Sequence, residues 1–137
     1  FVIKTRSGGT PVSTTTPEAY FYAKFAVQTG HNNFVLKCRN FNGTNPTYFK
    51  LTAIDENMNV VDVIPSKVTA DSWSNAKNGC VKFIHQRGNS GSPDQYATFQ
   101  YDLSQFNGKN VVLVLGVYKG EDNGDENKLC IYSINLN

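Results

Sequence analysis

Val111-Val112-Leu113-Val114-Leu115-Gly116-Val117-Tyr118 is the stretch that decides the fold. It is too short for a helix core, and its repeated valines favour an extended chain. The run therefore reads as a strand buried on both faces. Asn107-Gly108 precedes it, and both residues tolerate positive φ, so the chain turns tightly there. Downstream, residues 129–136 form a second strand, with apolar residues on both faces near its start. Between the two strands, residues 119–127 are polar, acidic and glycine-bracketed. That segment is too polar to bury and reads as a solvent loop joining two core strands.

The same logic extends upstream. Residues 1–4 are a short apolar start, and 7–16 form a Gly/Ser/Thr-rich connection with Pro11, closed by Pro17. Residues 20–28 follow as a strand in which Phe21, Ala23, Phe25 and Val27 alternate with Tyr20, Tyr22, Lys24 and Ala26. In 34–39, Phe34, Leu36 and Cys38 share one face and Lys37 and Arg39 the other. Residues 48–54 place Phe49, Leu51 and Ala53 opposite Tyr48, Lys50 and Thr52, and 55–59 turn into a strand over 60–64. The stretch 66–79 is irregular and holds Trp73, the single tryptophan. Residues 80–87 and 96–103 read as two more strands, paired as a hairpin around the mobile-looking loop 88–94. The pattern is eight or nine short strands with frequent turn signals and no convincing helix. It predicts an all-β fold, an antiparallel β-sandwich with jelly-roll topology.

A chain of 137 residues makes one domain, and 39% hydrophobic content with 12% aromatics is enough to build its core. A net charge of +2, with basic residues scattered along the chain, gives no field for nucleic acid. No apolar run is long enough to span a membrane. The abrupt strand-like opening at Phe1 leads us to expect a monomeric module excised from a larger, multidomain, extracellular or cell-surface protein. Cys38, Cys80 and Cys130 match no zinc template. Cys38 and Cys130 fall in strand patterns, where a buried thiol acts as a small hydrophobe, so all three are expected to be reduced.

Asp102-Leu103-Ser104, Phe106, Gly108-Lys109, Val111, Leu113, Leu115-Gly116-Val117-Tyr118, Leu129, Ile131 and Ile134 resemble the closing strands of galactose-binding-like jelly rolls. Asn45-Pro46-Thr47-Tyr48-Phe49 through Ile54-Asp55-Glu56-Asn57 is similar to their central strands. Many non-catalytic carbohydrate-binding modules share that architecture, and the resemblance implies glycan binding without catalysis. Such modules often carry a structural calcium. Asp122, Asn123, Asp125, Glu126 and Asn127 offer suitable oxygen ligands. Their spacing lacks the EF-hand glycine and terminal glutamate, so a solvated turn and no cofactor are expected there.

An inventory for catalysis finds His31 in a turn and His85 in a strand, with no nucleophile elbow, phosphate loop or metalloprotease helix. The acids cluster in turns, at Asp55-Glu56, Asp94 and 121–126, which suits solvation better than a glycosidase pair. No enzyme activity is expected. Sugar recognition needs aromatic planes beside directional donors. Tyr22, Arg39 and Tyr48 supply these if their three strands share a sheet face; Trp73 and Arg87 supply them at a loop edge. These five residues are the expected carbohydrate site, with polysaccharide or glycan as partner. A structural or adhesive protein-interaction domain is the competing reading. The Asn42-Gly43-Thr44 sequon carries no functional weight.

Overall fold

The computed structural model describes residues 1–4, 17–40, 46–85, 96–118 and 128–137. Through them run β1 (Val2–Lys4), β2 (Ala19–Ala26), β3 (Asn33–Asn40), β4 (Thr47–Ile54), β5 (Val60–Val63), β6 (Lys67–Thr69), β7 (Ser72–Asn75), β8 (Val81–His85), β9 (Ala97–Asp102), β10 (Asn110–Tyr118) and β11 (Lys128–Leu136). Two of these exceed the expected number. β6 and β7 lie in the stretch 66–79 and are only 3 and 4 residues long, too short to display a period.

The strands form two antiparallel sheets packed face to face, an all-β sandwich. One sheet runs β1-β11-β3-β9-β6, and the other β2-β10-β4-β8-β7 with β5 beside β4. β4 uses one edge twice, pairing β8 over Thr47, Tyr48 and Phe49 and β5 over Leu51, Thr52, Ala53 and Ile54. The turn between β4 and β5 is held by Asp55, whose Oδ1 accepts the amides of Asn57 and Asn59, each at 2.9 Å. The hairpin expected between 80–87 and 96–103 does not form. β8 joins β4 and β7, while β9 joins β3 and β6 in the opposite sheet.

β10 lies between β2 and β4, as its apolar run demands. Val111, Leu113, Leu115 and Val117 are buried against the other sheet. On its outer face Val112 and Val114 are half-buried, and only the end of the strand, at Gly116 and Tyr118, is buried on both sides. Gly116 is required there by contact: a Cβ would stand 2.9 Å from Pro17 Cβ and 2.9 Å from Tyr118 Cε2.

Between the sheets, Phe34, Leu36, Phe49, Leu51, Phe83, Phe99, Tyr101, Leu113, Leu115 and Leu129 are buried. Phe49 and Phe83 both meet Phe99 edge-to-face, at 5.0 and 5.4 Å between ring centres. Two buried polar side chains tie the sheets together at one end. Asn40 Nδ2 donates to the Phe83 carbonyl at 3.2 Å, and Thr47 Oγ1 donates to the Lys128 carbonyl at 3.0 Å. None of the three cysteines is joined in a disulfide. Cys38 points into the core, whereas Cys130 shares the outer face with its neighbour Arg39, so the two thiols leave the sheet on opposite sides.

Candidate functional site

β2 and β4 belong to the six-stranded sheet and β3 to the five-stranded one. Tyr22 and Tyr48 therefore face away from the sandwich on one side and Arg39 on the other. The expectation that the three share a face is corrected: alternation gave each residue's outward phase, but consecutive strands enter different sheets. Tyr22 is exposed and its ring lies 6.2 Å from that of exposed Tyr20. Tyr48 points outward yet is only 4% exposed. Trp73 is on β7, partly buried and edge-on to Phe99 at 6.3 Å, so it closes the end of the core. Arg87 lies outside the described residues, as do the acidic loop 121–127, expected to be a solvated turn, and the sequon.

Tyr48 is covered by a feature the sequence did not announce. A 3-10 turn at Lys77–Gly79, with Asn78 and Gly79 both at positive φ, folds over this end of the six-stranded sheet. Lys50 lies beneath it and is 6% exposed. Its Nζ pairs with Asp62 Oδ2 at 3.2 Å and donates to the Asn78 carbonyl at 3.0 Å. Tyr48, Tyr118 and Cys80 complete a second small core there. Burial pushes the Cys80 thiol up to about 11, against the pull of Lys50, and the Tyr118 phenol up to about 12.

The arrangement sought on β2–β4 exists on the opposite side of the sandwich. On the outer face of the five-stranded sheet, Tyr132 of β11 is 51% exposed. Its ring stands 5.0 Å from that of Tyr96, with the two planes tilted by 44°. Lys37 Nζ lies 5.8 Å from the centre of the Tyr132 ring, and the Arg39 guanidinium 5.5 Å from that of Tyr96. The Tyr96 phenol is pushed up, first by burial and then by the neighbouring Cys130, with Arg39 pulling the other way. It therefore stays protonated, as a donor, at neutral pH.

Register extends this corner into a strip. Lys37 stands opposite Ser133 on one side and Thr98 on the other, and Thr98 opposite Thr69. One step along, Asn135, Val35, Gln100 and Lys67 form a parallel row. Three inter-strand steps of ~4.8 Å make each row roughly 14 Å long. Asn33 Nδ2 donates to Gln100 Oε1 at 3.4 Å, which fixes one amide of the strip. Hydroxyls, amides and cations thus lie along one face beside a half-exposed aromatic ring.

Sequence reasoning found Arg39 of this group and missed Tyr132. Alternation from Leu129 and Ile131 does put Tyr132 outward, but which strands lie beside it is not a local property, so its meeting with Tyr96 and Lys37 could not be read; the register shifts only after it, between Ile131 and Ser133. Among the described residues, no group of three or more His, Cys, Asp or Glu side chains is close enough to hold a metal ion, and no helix is long and apolar enough to cross a membrane. No protein-family model matches the chain, and a search of curated proteins finds no match to it either.

Proposed function

We propose that this domain is a non-catalytic carbohydrate-binding module of an extracellular or cell-surface protein, in keeping with its resemblance to galactose-binding-like jelly rolls. The observation that carries the reading is the outer face of the five-stranded sheet, where Tyr132 and Tyr96 stand beside Lys37 and Arg39. A sugar ring stacks its C–H face on Tyr132 while Lys37, Arg39, Thr98 and Ser133 meet its hydroxyls. The strip lies on an outer sheet face, and its long side chains must be ordered on binding. Affinity is accordingly weak, on the order of micromolar to millimolar, or ~4–8 kcal/mol. A module of this kind works by proximity, holding an attached partner domain near a polysaccharide.

The test is a glycan panel of plant polysaccharides and host glycans, read with the parent protein, Tyr132→Ala and Tyr22→Ala. Tyr132→Ala should lose binding with its melting temperature retained, and Tyr22→Ala should bind as the parent does. The reverse pattern would move the site to the six-stranded sheet.

One observation favours the second reading, an adhesive protein-interaction domain. On the outer face of the six-stranded sheet, Ile54 stands between Val60 and Val112, and Val114 beside Tyr22. Val60, Tyr22 and Tyr20 are well exposed, so this side offers an apolar stripe suited to a protein surface. Failure of every glycan to bind at millimolar concentration would favour it.

A further inference from the structure

We infer that the outer face of the six-stranded sheet joins two copies of this chain, sheet against sheet, about a two-fold axis that runs along the strands between β10 and β4. The inference does not depend on the carbohydrate reading, whose residues lie on the opposite sheet. It gives the apolar stripe one occupant, a second copy, and replaces the monomer expected from the sequence. The argument is the order of side chains in two neighbouring rows across β2, β10, β4 and β5. The first row reads Lys24, Val112, Ile54, Val60, and the second Tyr22, Val114, Thr52, Asp62. Every one of these positions is exposed or half-buried, and Tyr22 and Val60 are each 64% exposed. Each row thus has an apolar middle, with the ammonium group at its β2 end and the carboxylate at its β5 end.

An axis between β10 and β4 exchanges β2 with β5 and β10 with β4, so each row meets itself reversed. Lys24 then lies over Val60 of the second copy and Tyr22 over its Asp62, and both contacts occur twice. In the middle Val112 meets Ile54 and Val114 meets the Thr52 methyl, and water leaves apolar surface. The Lys24 ammonium is one row from the second copy's Asp62, and the ~30° angle of aligned sheets brings such diagonal neighbours together. An axis along the rows would instead set β2 on β2 and β5 on β5, with like charges adjacent, so charge selects the first axis. Asp62 has the capacity for a further donor. Its Oδ2 takes Lys50 Nζ at 3.2 Å and its Oδ1 the Thr52 hydroxyl at 3.1 Å, which leaves a lone pair on each oxygen, and its side chain is 41% exposed. The 3-10 turn stands over Lys50 in the next row, and the same axis sets it against Gly116 of the second copy, an outward position of β10 with no side chain. β2 and β4 are each 8 residues long. Four strands at ~4.8 Å and ~3.3 Å per residue give a face of roughly 500 Å2. Two copies bury about 1,000 Å2 in all, at the lower end for a specific interface, so the dimer is weak, with a dissociation constant on the order of 10–100 μM.

The experiment is sedimentation equilibrium on the chain alone, over roughly 5 μM to 1 mM, a range that brackets the expected constant. The weight-average mass should climb from 15.2 kDa toward twice that value. Val114→Glu puts a charge in the apolar middle and should stay at the monomer mass throughout. Lys24→Glu sets a carboxylate beside the second copy's Asp62 and should weaken association at least ten-fold, an effect that shrinks as salt rises. Lys67→Glu makes the same charge change at the edge of the other sheet and should associate as the parent does. Melting curves at low concentration establish that each variant is folded. Amide chemical shifts that move on dilution should cluster at Tyr22, Ile54, Val60 and Val114. A parent chain that is monomeric at every concentration would overturn the inference and leave the stripe to a foreign protein. A dimer that both Val114→Glu and Lys24→Glu leave intact, or whose dilution shifts fall on the five-stranded sheet, would overturn the choice of face. A dimer abolished by Val114→Glu yet as tight in Lys24→Glu would overturn the axis.

Discussion

Tyr101→Phe should stabilise the domain. Tyr101 lies on the inward side of β9, opposite Phe34, and is 0% exposed. Its ring meets Phe34 near edge-on at 5.9 Å, a contact that phenylalanine would keep. Its hydroxyl has no hydrogen-bond partner among the described residues. A buried hydroxyl in that position costs roughly 1–3 kcal/mol relative to its hydrated state in the unfolded chain. Removing it leaves a gap on the order of 10 Å³, which at ~24 cal/mol per Å³ returns only a few tenths of a kcal/mol. The net expectation is a gain of roughly 0.5–2.5 kcal/mol, with a rise in melting temperature of about 2–8 °C for a domain of this size. Urea and thermal unfolding, followed by circular dichroism with matched m-values, measure it. A variant less stable than the parent by more than ~0.5 kcal/mol would refute the reasoning, because the hydroxyl would then have to be bonded in the native protein.

Two further expectations concern packing and pH. Leu115→Ala, at a site 1% exposed, should cost ~2–5 kcal/mol, and Gly116→Ala ~1–3 kcal/mol through its clash with Pro17 and Tyr118; equal melting temperatures in parent and variants would overturn the placement of β10. Cys80 holds its proton to about 11 in the folded state against 9.0 for an ordinary thiol, so the unfolded chain releases that proton first. The stability associated with it is complete below pH 9 and is lost as pH rises toward 11. Melting curves across this range should fall less steeply in Cys80→Ala than in the parent, and parallel curves would sink the assignment.

The sandwich was legible because it rests on local signals. Valine-rich 111–118 makes a central strand, Asp55 caps the β4–β5 turn, and alternation over 34–39 sends Phe34, Leu36 and Cys38 inward. The site was not legible, because sheet membership is a long-range property. Period two assigns a residue to one of two sides of its own strand and is silent on which strands become neighbours. Arg39 was read correctly as outward and placed on the wrong side of the molecule for that reason alone.

The two sheets use the same pairing for different ends. On the six-stranded sheet Lys50 lies 5.2 Å from the Tyr118 ring and Lys82 5.7 Å from the Tyr48 ring. On the five-stranded sheet Lys37 lies 5.8 Å from Tyr132 and Arg39 5.5 Å from Tyr96. Chemistry and distance do not distinguish these pairs. Exposure does: Tyr48 and Tyr118 are 4% and 3% exposed, while Tyr132 is 51% exposed. A cation beside a buried ring strengthens packing, since its aromatic partner has no face left for anything else. A cation beside a half-exposed ring leaves an aromatic surface and a donor side by side in water, the two groups that a stacked sugar engages together. The same residue types therefore fasten the 3-10 turn to one sheet and, on the other, leave an exposed ring beside a cation, where we propose that a sugar stacks.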